Sequence, residues 1–179
     1  MPELPEVETT TRGLKKVLIG LKIIDVWTDL STKDKRKSDT VANPKYFTVF
    51  KKEVLNKKIT SIKREAKNIL INLSGDKTIL IHLKLTGYLF YGKDPHIRFA
   101  HVIFTLSNPK QGRAGKNYLV FSDVRKFGKV TLLDTKTAYD SKHLKDIGPD
   151  PLERNFTLEK FQKCLSASQQ RKIKTVLMD

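Results

Sequence analysis

Residues 68–83 read NILINLSGDKTILIHL. Ile69, Ile71 and Leu73 fall at alternate positions, and so do Ile79, Ile81 and Leu83. Such alternation belongs to strands with one buried face, and Gly75-Asp76 between the two runs is a turn signal. The stretch therefore predicts a β-hairpin. Outward from it, residues 59–64 precede and residues 85–91 follow, with Thr86-Gly87 as a further turn. Residues 21–27, 101–106, 118–122 and 129–133 have the same character. The loop at 107–116, with Pro109, Gly112 and Gly115, predicts a hairpin connection. About eight strands at this spacing predict an antiparallel sandwich or barrel.

In front of the strands, residues 3–19 predict a helix. Leu4, Val7, Leu14, Val17 and Leu18 fall near one face. Pro5 suits a first turn, Glu3, Glu6 and Glu8 suit the positive end of the helix dipole, and Gly20 supplies a stop. Residues 28–45 are polar and interrupt the pattern. After Asp134 the character changes. Residues 139–146 look helical, Gly148-Pro149-Asp150-Pro151 is a break, and 158–165 and 172–178 look helical again. The expected class is α+β: residues 1–134 form a helix-plus-sandwich domain, and residues 135–179 form a connector and further helices. The chain stops at Leu177-Met178-Asp179 with no capping residue.

Composition narrows the function. The 179 residues hold 35 Lys and Arg against 19 Asp and Glu, a net charge of +16. At 39% apolar residues the chain can close a core, which excludes wholesale disorder. No run of about 18 apolar residues occurs, which excludes a membrane-spanning helix. Cys164 is the single cysteine, so no intrachain disulfide framework and no four-cysteine zinc site is available. MPELPEVETT carries acids and no hydrophobic stretch, unlike a secretory or transit peptide. A cytoplasmic protein is expected. The positive charge asks for a polyanion, and nucleic acid leads. A solvated basic surface without a partner is the alternative. A membrane surface fits less well, because no stretch is both basic and cleanly amphipathic.

Met1 followed by Pro2 is a context in which the initiator is commonly removed. That exposes a secondary α-amine, whose class has a reference pKa of about 7.7–8.0. Such an amine can attack a sugar C1′ and form an iminium ion, which acidifies the C2′ hydrogen. Glu3 stands next to it for proton work. The alternative is that Pro2, Pro5 and the glutamates merely start a helix.

MPELPEVETT resembles the N-terminus of bacterial formamidopyrimidine-DNA glycosylases, bifunctional glycosylase/lyases that remove oxidised purines. Further motifs follow in order. Ala66-Lys67 before residues 69–73 is similar to the family's hairpin lysine segment. His82-Leu83-Lys84-Leu85-Thr86-Gly87 resembles its His-Leu-x-Met-Ser/Thr-Gly motif. Asp123-Val124-Arg125-Lys126-Phe127-Gly128 resembles its Asp-x-Arg-Arg/Lys-Phe-Gly loop, and Ile147-Gly148-Pro149-Asp150-Pro151-Leu152 its Leu-Gly-Pro-Glu-Pro-Leu. Residues 172–179 are similar to the start of its helix-two-turn-helix module.

The resemblance implies roles. Pro2 is the nucleophile, Glu3 the general acid/base, and Glu6 shapes the same pocket. Lys67 contacts the backbone near the lesion and supports catalysis. Arg125 and Phe127 form a wedge that fills the gap left by an extruded nucleotide, with Leu85 as its third member; extrusion costs about a few kcal/mol. Lys126 binds phosphate, and Arg98 and His101 contact DNA. The implied partner is duplex DNA with an oxidised purine or abasic site, bound by a monomer. Leu4 favours the formamidopyrimidine type over the endonuclease VIII type. No cofactor is expected in these residues, since the family's zinc finger lies further along its pattern.

Two departures stand out. The family often has Lys-His-x-His where this chain has Arg98-Phe99-Ala100-His101. The family pattern also continues past Asp179 through a phosphate-gripping turn, a lesion-recognition loop and the finger. The chain is therefore expected to be an incomplete fragment with weak binding and little glycosylase activity. Two other readings compete: a noncatalytic nucleic-acid-binding module of the same fold, and a basic protein that packs on ribosomal RNA. Pro2 with Glu3 argues against the first, and Arg125 with Phe127 on one turn argues against the second.

Overall fold

A computed structural model describes residues 2–107, 116–151, 153, 155–167 and 172. Helix α1 (Leu4–Leu18) leads into strand β1 (Lys22–Thr28), a short 3-10 turn at Lys35–Lys37, and helix α2 (Pro44–Val54). Strands β2 (Ile59–Glu65), β3 (Asn68–Leu73), β4 (Lys77–His82), β5 (Gly87–Gly92), β6 (Ala100–Ser107), β7 (Lys116–Asp123) and β8 (Lys129–Asp134) follow. Helix α3 covers Leu158–Ala167. Two four-stranded sheets result, in the orders β1-β6-β7-β5 and β2-β3-β4-β8, and every pairing is antiparallel. The expected helix and eight-stranded sandwich are both present.

The hairpin at 68–83 folds as its pattern demands. Ile69 pairs with Ile81 and Ile71 with Ile79, so the alternate residues share one face. That face joins one apolar core with Ile23 and Val26 of β1, Phe104 of β6 and Phe121 of β7, closed at one end by Val7, Leu14 and Leu18 of α1. Burying each such side chain contributes about 1.5–3 kcal/mol. Thr11 completes the buried stripe of α1, its hydroxyl donating to the Val7 carbonyl at 2.7 Å. Val17, expected on that face, is exposed.

The outer face of the second sheet is also covered. Leu70 and Leu80 pack with Ala138, Leu144 and Ile147, so the segment after Asp134 lies on β3 and β4. Residues 139–146 are not the expected helix. Among them only a 3-10 turn at Ala138–Asp140 and further turns form. Helix α2 was not foreseen. Asn43 caps it, accepting from the Lys45 and Tyr46 amides at 3.0 and 3.1 Å, and Pro44 opens its first turn. Phe50 then packs on Phe104 at 6.3 Å between centroids. The loop residues 108–115, Leu152 and the proposed helix at 173–178 lie outside the described residues.

Candidate active site

Topology brings distant motifs together. The connection 83–86 crosses from one sheet to the other, from β4 to β5, and 124–128 crosses back from β7 to β8. His82 pairs with Lys129 at one end, and Gly87 with Asp123 at the other. The two crossovers therefore run side by side, with Thr86, the neighbour of Leu85, bonded to the Arg125 amide.

Asp123 fastens them. Its side chain is fully buried. It accepts from the Thr86 hydroxyl, from the Gly128 amide at 2.7 Å and from the Arg125 amide at 3.2 Å. Arg125 N–H also donates to the Thr86 oxygen at 3.2 Å. Glycine closes both crossovers for a steric reason. A Cβ on Gly87 would sit 2.3 Å from the Leu83 carbonyl oxygen, and one on Gly128 2.2 Å from the Phe121 ring. Held this way, Leu85 and Phe127 stay exposed, and the Arg125 guanidinium lies 4.7 Å from the centroid of Phe127. Lys126 is exposed, its ammonium 3.8 Å from Asp29. His101 is buried, with Nδ1 2.8 Å from the other Asp29 oxygen. Arg98 is exposed.

The second cluster forms at the N-terminus. Pro2 is half-buried, and Glu3 occupies the N-cap position of α1. The Glu3 amide donates to Glu6 Oε2 at 2.9 Å, so Glu6 fixes the first turn. Glu3 Oε2 lies 2.8 Å from Lys67 Nζ. That hydrogen bond holds the Glu3 carboxyl below the usual carboxylate range, and the ammonium's charge adds to it. Lys67 sits in the two-residue turn between β2 and β3, where Ala66 has φ +48°. Arg64 anchors this turn to α1. Its side chain is 5% exposed and reaches Glu8 at 2.7 Å, the Ala66 carbonyl at 3.1 Å and the Asp150 carboxylate.

A cleft of about 420 Å³ begins at Lys67 and is lined further by His82, Lys84, Lys129, Lys142 and His143. His82 Nδ1 accepts the Lys84 amide at 3.1 Å, which leaves Nε2 to carry the proton. Burial pushes the His82 pKa down to about 4, helped by the charges of Lys84, Lys129 and Lys67. Burial and Lys129 lower Lys84 in turn. His143, expected at the surface, is largely enclosed and bonded to Asp39 at 2.8 Å. A cationic, partly desolvated trough of this kind suits a phosphodiester.

The sequence had marked Glu3, Lys67, Leu85, Arg125 and Phe127, and each lies in one of these clusters. It had assigned no role to Arg64, His82, Thr86, Asp123 or Lys129. His82, Thr86 and Asp123 stood inside quoted motifs, and their position there was the available signal. Among the described residues no group of His, Cys, Asp and Glu is arranged to hold a metal, and no helix is long and apolar enough to cross a membrane.

Known proteins resemble this chain in sequence and in fold. Residues 1–130 match the family model described as formamidopyrimidine-DNA glycosylase N-terminal domain. The chain is 41% identical over 181 residues to the formamidopyrimidine-DNA glycosylase of Pelotomaculum thermopropionicum, and 37% identical over 183 residues to that of Streptococcus pneumoniae. Each alignment takes in 100% of this chain and 60% of the relative. The fold is similar to Lactococcus lactis Fpg solved with DNA containing an abasic site, with a TM-score of 0.79 and 29% identity over 98% of this chain and 60% of that one. The same protein has been solved with DNA containing FAPY-dG. The chain thus spans about 60% of the length of the curated relatives it matches. With a family model over residues 1–130, the chain belongs to the formamidopyrimidine-DNA glycosylase family.

Proposed function

We propose that the chain carries the catalytic half of a base-excision repair glycosylase/lyase acting on oxidised purines and abasic sites in duplex DNA. The contact between Glu3 and Lys67, with Pro2 next in the chain, carries this reading. Removal of Met1 leaves Pro2 a secondary amine. While Met1 is attached, that nitrogen is a tertiary amide without nucleophilic character. The free amine attacks C1′ as the glycosidic bond breaks, and the base leaves with a proton. The amine proton passes to O4′ by way of Glu3, the C1′–O4′ bond opens, and the nitrogen lone pair forms the iminium ion. The Glu3 carboxylate stabilises that cation and accepts a proton from C2′, which expels the 3′ phosphate; a δ-elimination releases the 5′ phosphate. Lys67 and the trough around His82 hold the phosphate backbone. Leu85, Arg125 and Phe127 fill the space the nucleotide vacates. Arg98 and Lys126 contact phosphates, and His101 supports the wedge loop through Asp29. The chemistry uses no cofactor among these residues, and we place the protein with the chromosome in the cytoplasm, bound as a monomer.

Residues 1–134 serve as the catalytic unit and 135–179 as the connector and the start of a helix-two-turn-helix domain. Borohydride trapping on an abasic duplex tests the mechanism. The processed chain is expected to form a covalent adduct, Pro2→Gly to form less, and the Met1-bearing chain none. Trapping that is unchanged with Met1 attached would make a lysine the nucleophile.

A further inference from the structure

Phe99 stands apart from the other exposed apolar residues. Its backbone has φ +59°, a left-handed conformation that bulky residues rarely adopt. Its ring is nonetheless 40% exposed rather than packed in the core. The Arg98 guanidinium lies 4.7 Å from the ring centroid, the same arrangement as Arg125 on Phe127. Buried groups hold the strained segment. Asp123 N–H donates to the Phe99 carbonyl at 3.0 Å, the Ser122 hydroxyl donates to the Arg98 carbonyl at 2.7 Å, and Ala100 N–H donates to Ile97 at 3.0 Å. Asp123 is thus the common anchor of three connections. Two present Leu85 and the Arg125–Phe127 pair, and the third presents the Arg98–Phe99 pair.

We propose that Phe99 is a base-stacking residue, a further aromatic platform beside the wedge, with Arg98 on its ring to meet the adjoining phosphate. The proposal rests on the reading that the chain engages damaged duplex DNA. An aromatic ring accepts any base on its face, so the contact is independent of sequence and suits the unpaired base opposite a vacated nucleotide. A left-handed backbone turns the ring outward at a position where a strand-bound side chain would alternate into the sandwich.

The test uses the whole chain and a duplex with a tetrahydrofuran abasic analogue opposite 2-aminopurine. Phe99→Asn removes the ring and tolerates the left-handed backbone. It is expected to weaken binding about 5- to 100-fold, to abolish the change in 2-aminopurine emission, and to leave Tm equal or higher. Phe99→Trp is expected to retain both binding and emission change. Arg125→Ala reports on the wedge separately. If Phe99→Asn binds like the parent while Arg125→Ala binds weakly, Phe99 is no contact and the proposal falls, with the DNA reading intact. If Phe99→Asn lowers Tm and Phe99→Trp binds no better than Phe99→Asn, the ring is a packing group and the proposal also falls. If the parent chain binds no duplex, the underlying reading fails, and this one with it.

Discussion

Asp123→Ala probes the joint between the crossovers. In the parent, one fully buried side chain satisfies the Thr86 hydroxyl and the Gly128 amide, with a longer bond to the Arg125 amide. Alanine strands the first two donors where water has little access. Each stranded buried donor costs about 1–3 kcal/mol, so the loss is about 2–6 kcal/mol. A domain of this size loses about 2–4 °C of Tm per kcal/mol, so a fall of about 4–24 °C is expected. Asp123→Asn keeps the shape and one acceptor oxygen and is expected to fall about half as far. Thr86→Val combined with Asp123→Ala supplies a double-mutant cycle, for which a coupling of about 1–2 kcal/mol is expected. Calorimetry and urea unfolding followed by circular dichroism give the numbers. An Asp123→Ala protein melting within about 2 °C of the parent, or a coupling near zero, would refute the assignment of Asp123 as the joint.

Other outcomes follow from the same geometry. Glu3→Gln removes an exposed ion pair, so Tm should move by less than about 1 °C while borohydride trapping slows by about 10²–10⁴-fold. Trapping at the parental rate would remove Glu3 from the chemistry. Arg64→Met strips Glu8 and Asp150 of a buried partner and should cost about 3 kcal/mol, read by urea unfolding; Arg64→Lys, which keeps charge without the fork, should recover only part. His82 titrates near 6.5 in the unfolded chain and about 4 in the fold. Between those values the unfolded state binds more protons, so stability rises with pH across that window and levels off above it. The contribution is at most about 1.4 kcal/mol per pH unit for one proton. His82→Leu should flatten the profile measured by urea unfolding between these limits, and identical slopes for parent and variant would exclude His82 as the source.

The alternation around Gly75-Asp76 was legible because a half-buried strand must alternate, and its partner was the next run along the chain. Helix α2 was harder to read, because its cap follows a polar stretch and its apolar residues are few. Tyr46 also earns its place through a hydroxyl that accepts the Leu132 amide at 2.8 Å, a partner 86 residues away. Distance hid Asp123 as well. Its partner Thr86 is 37 residues away, and an aspartate before a basic turn looks like a solvated residue until the two crossovers are seen side by side. Residues 139–146 misled in the opposite sense. Leu144 serves the outer face of β3 and β4, and a string of turns reaches it without a helix, while Tyr139 stays exposed.

The crossovers carry a mechanical consequence. Each is only a few residues long, and both ends are spliced into hydrogen-bonded strand pairs. A load on Leu85 or Phe127 is delivered almost at once into both sheets, with no slack to absorb it. A probe mounted this stiffly does not yield to the surface it presses against. Under the proposed function a duplex would give way instead, and a helix weakened by a damaged base would do so at lower force.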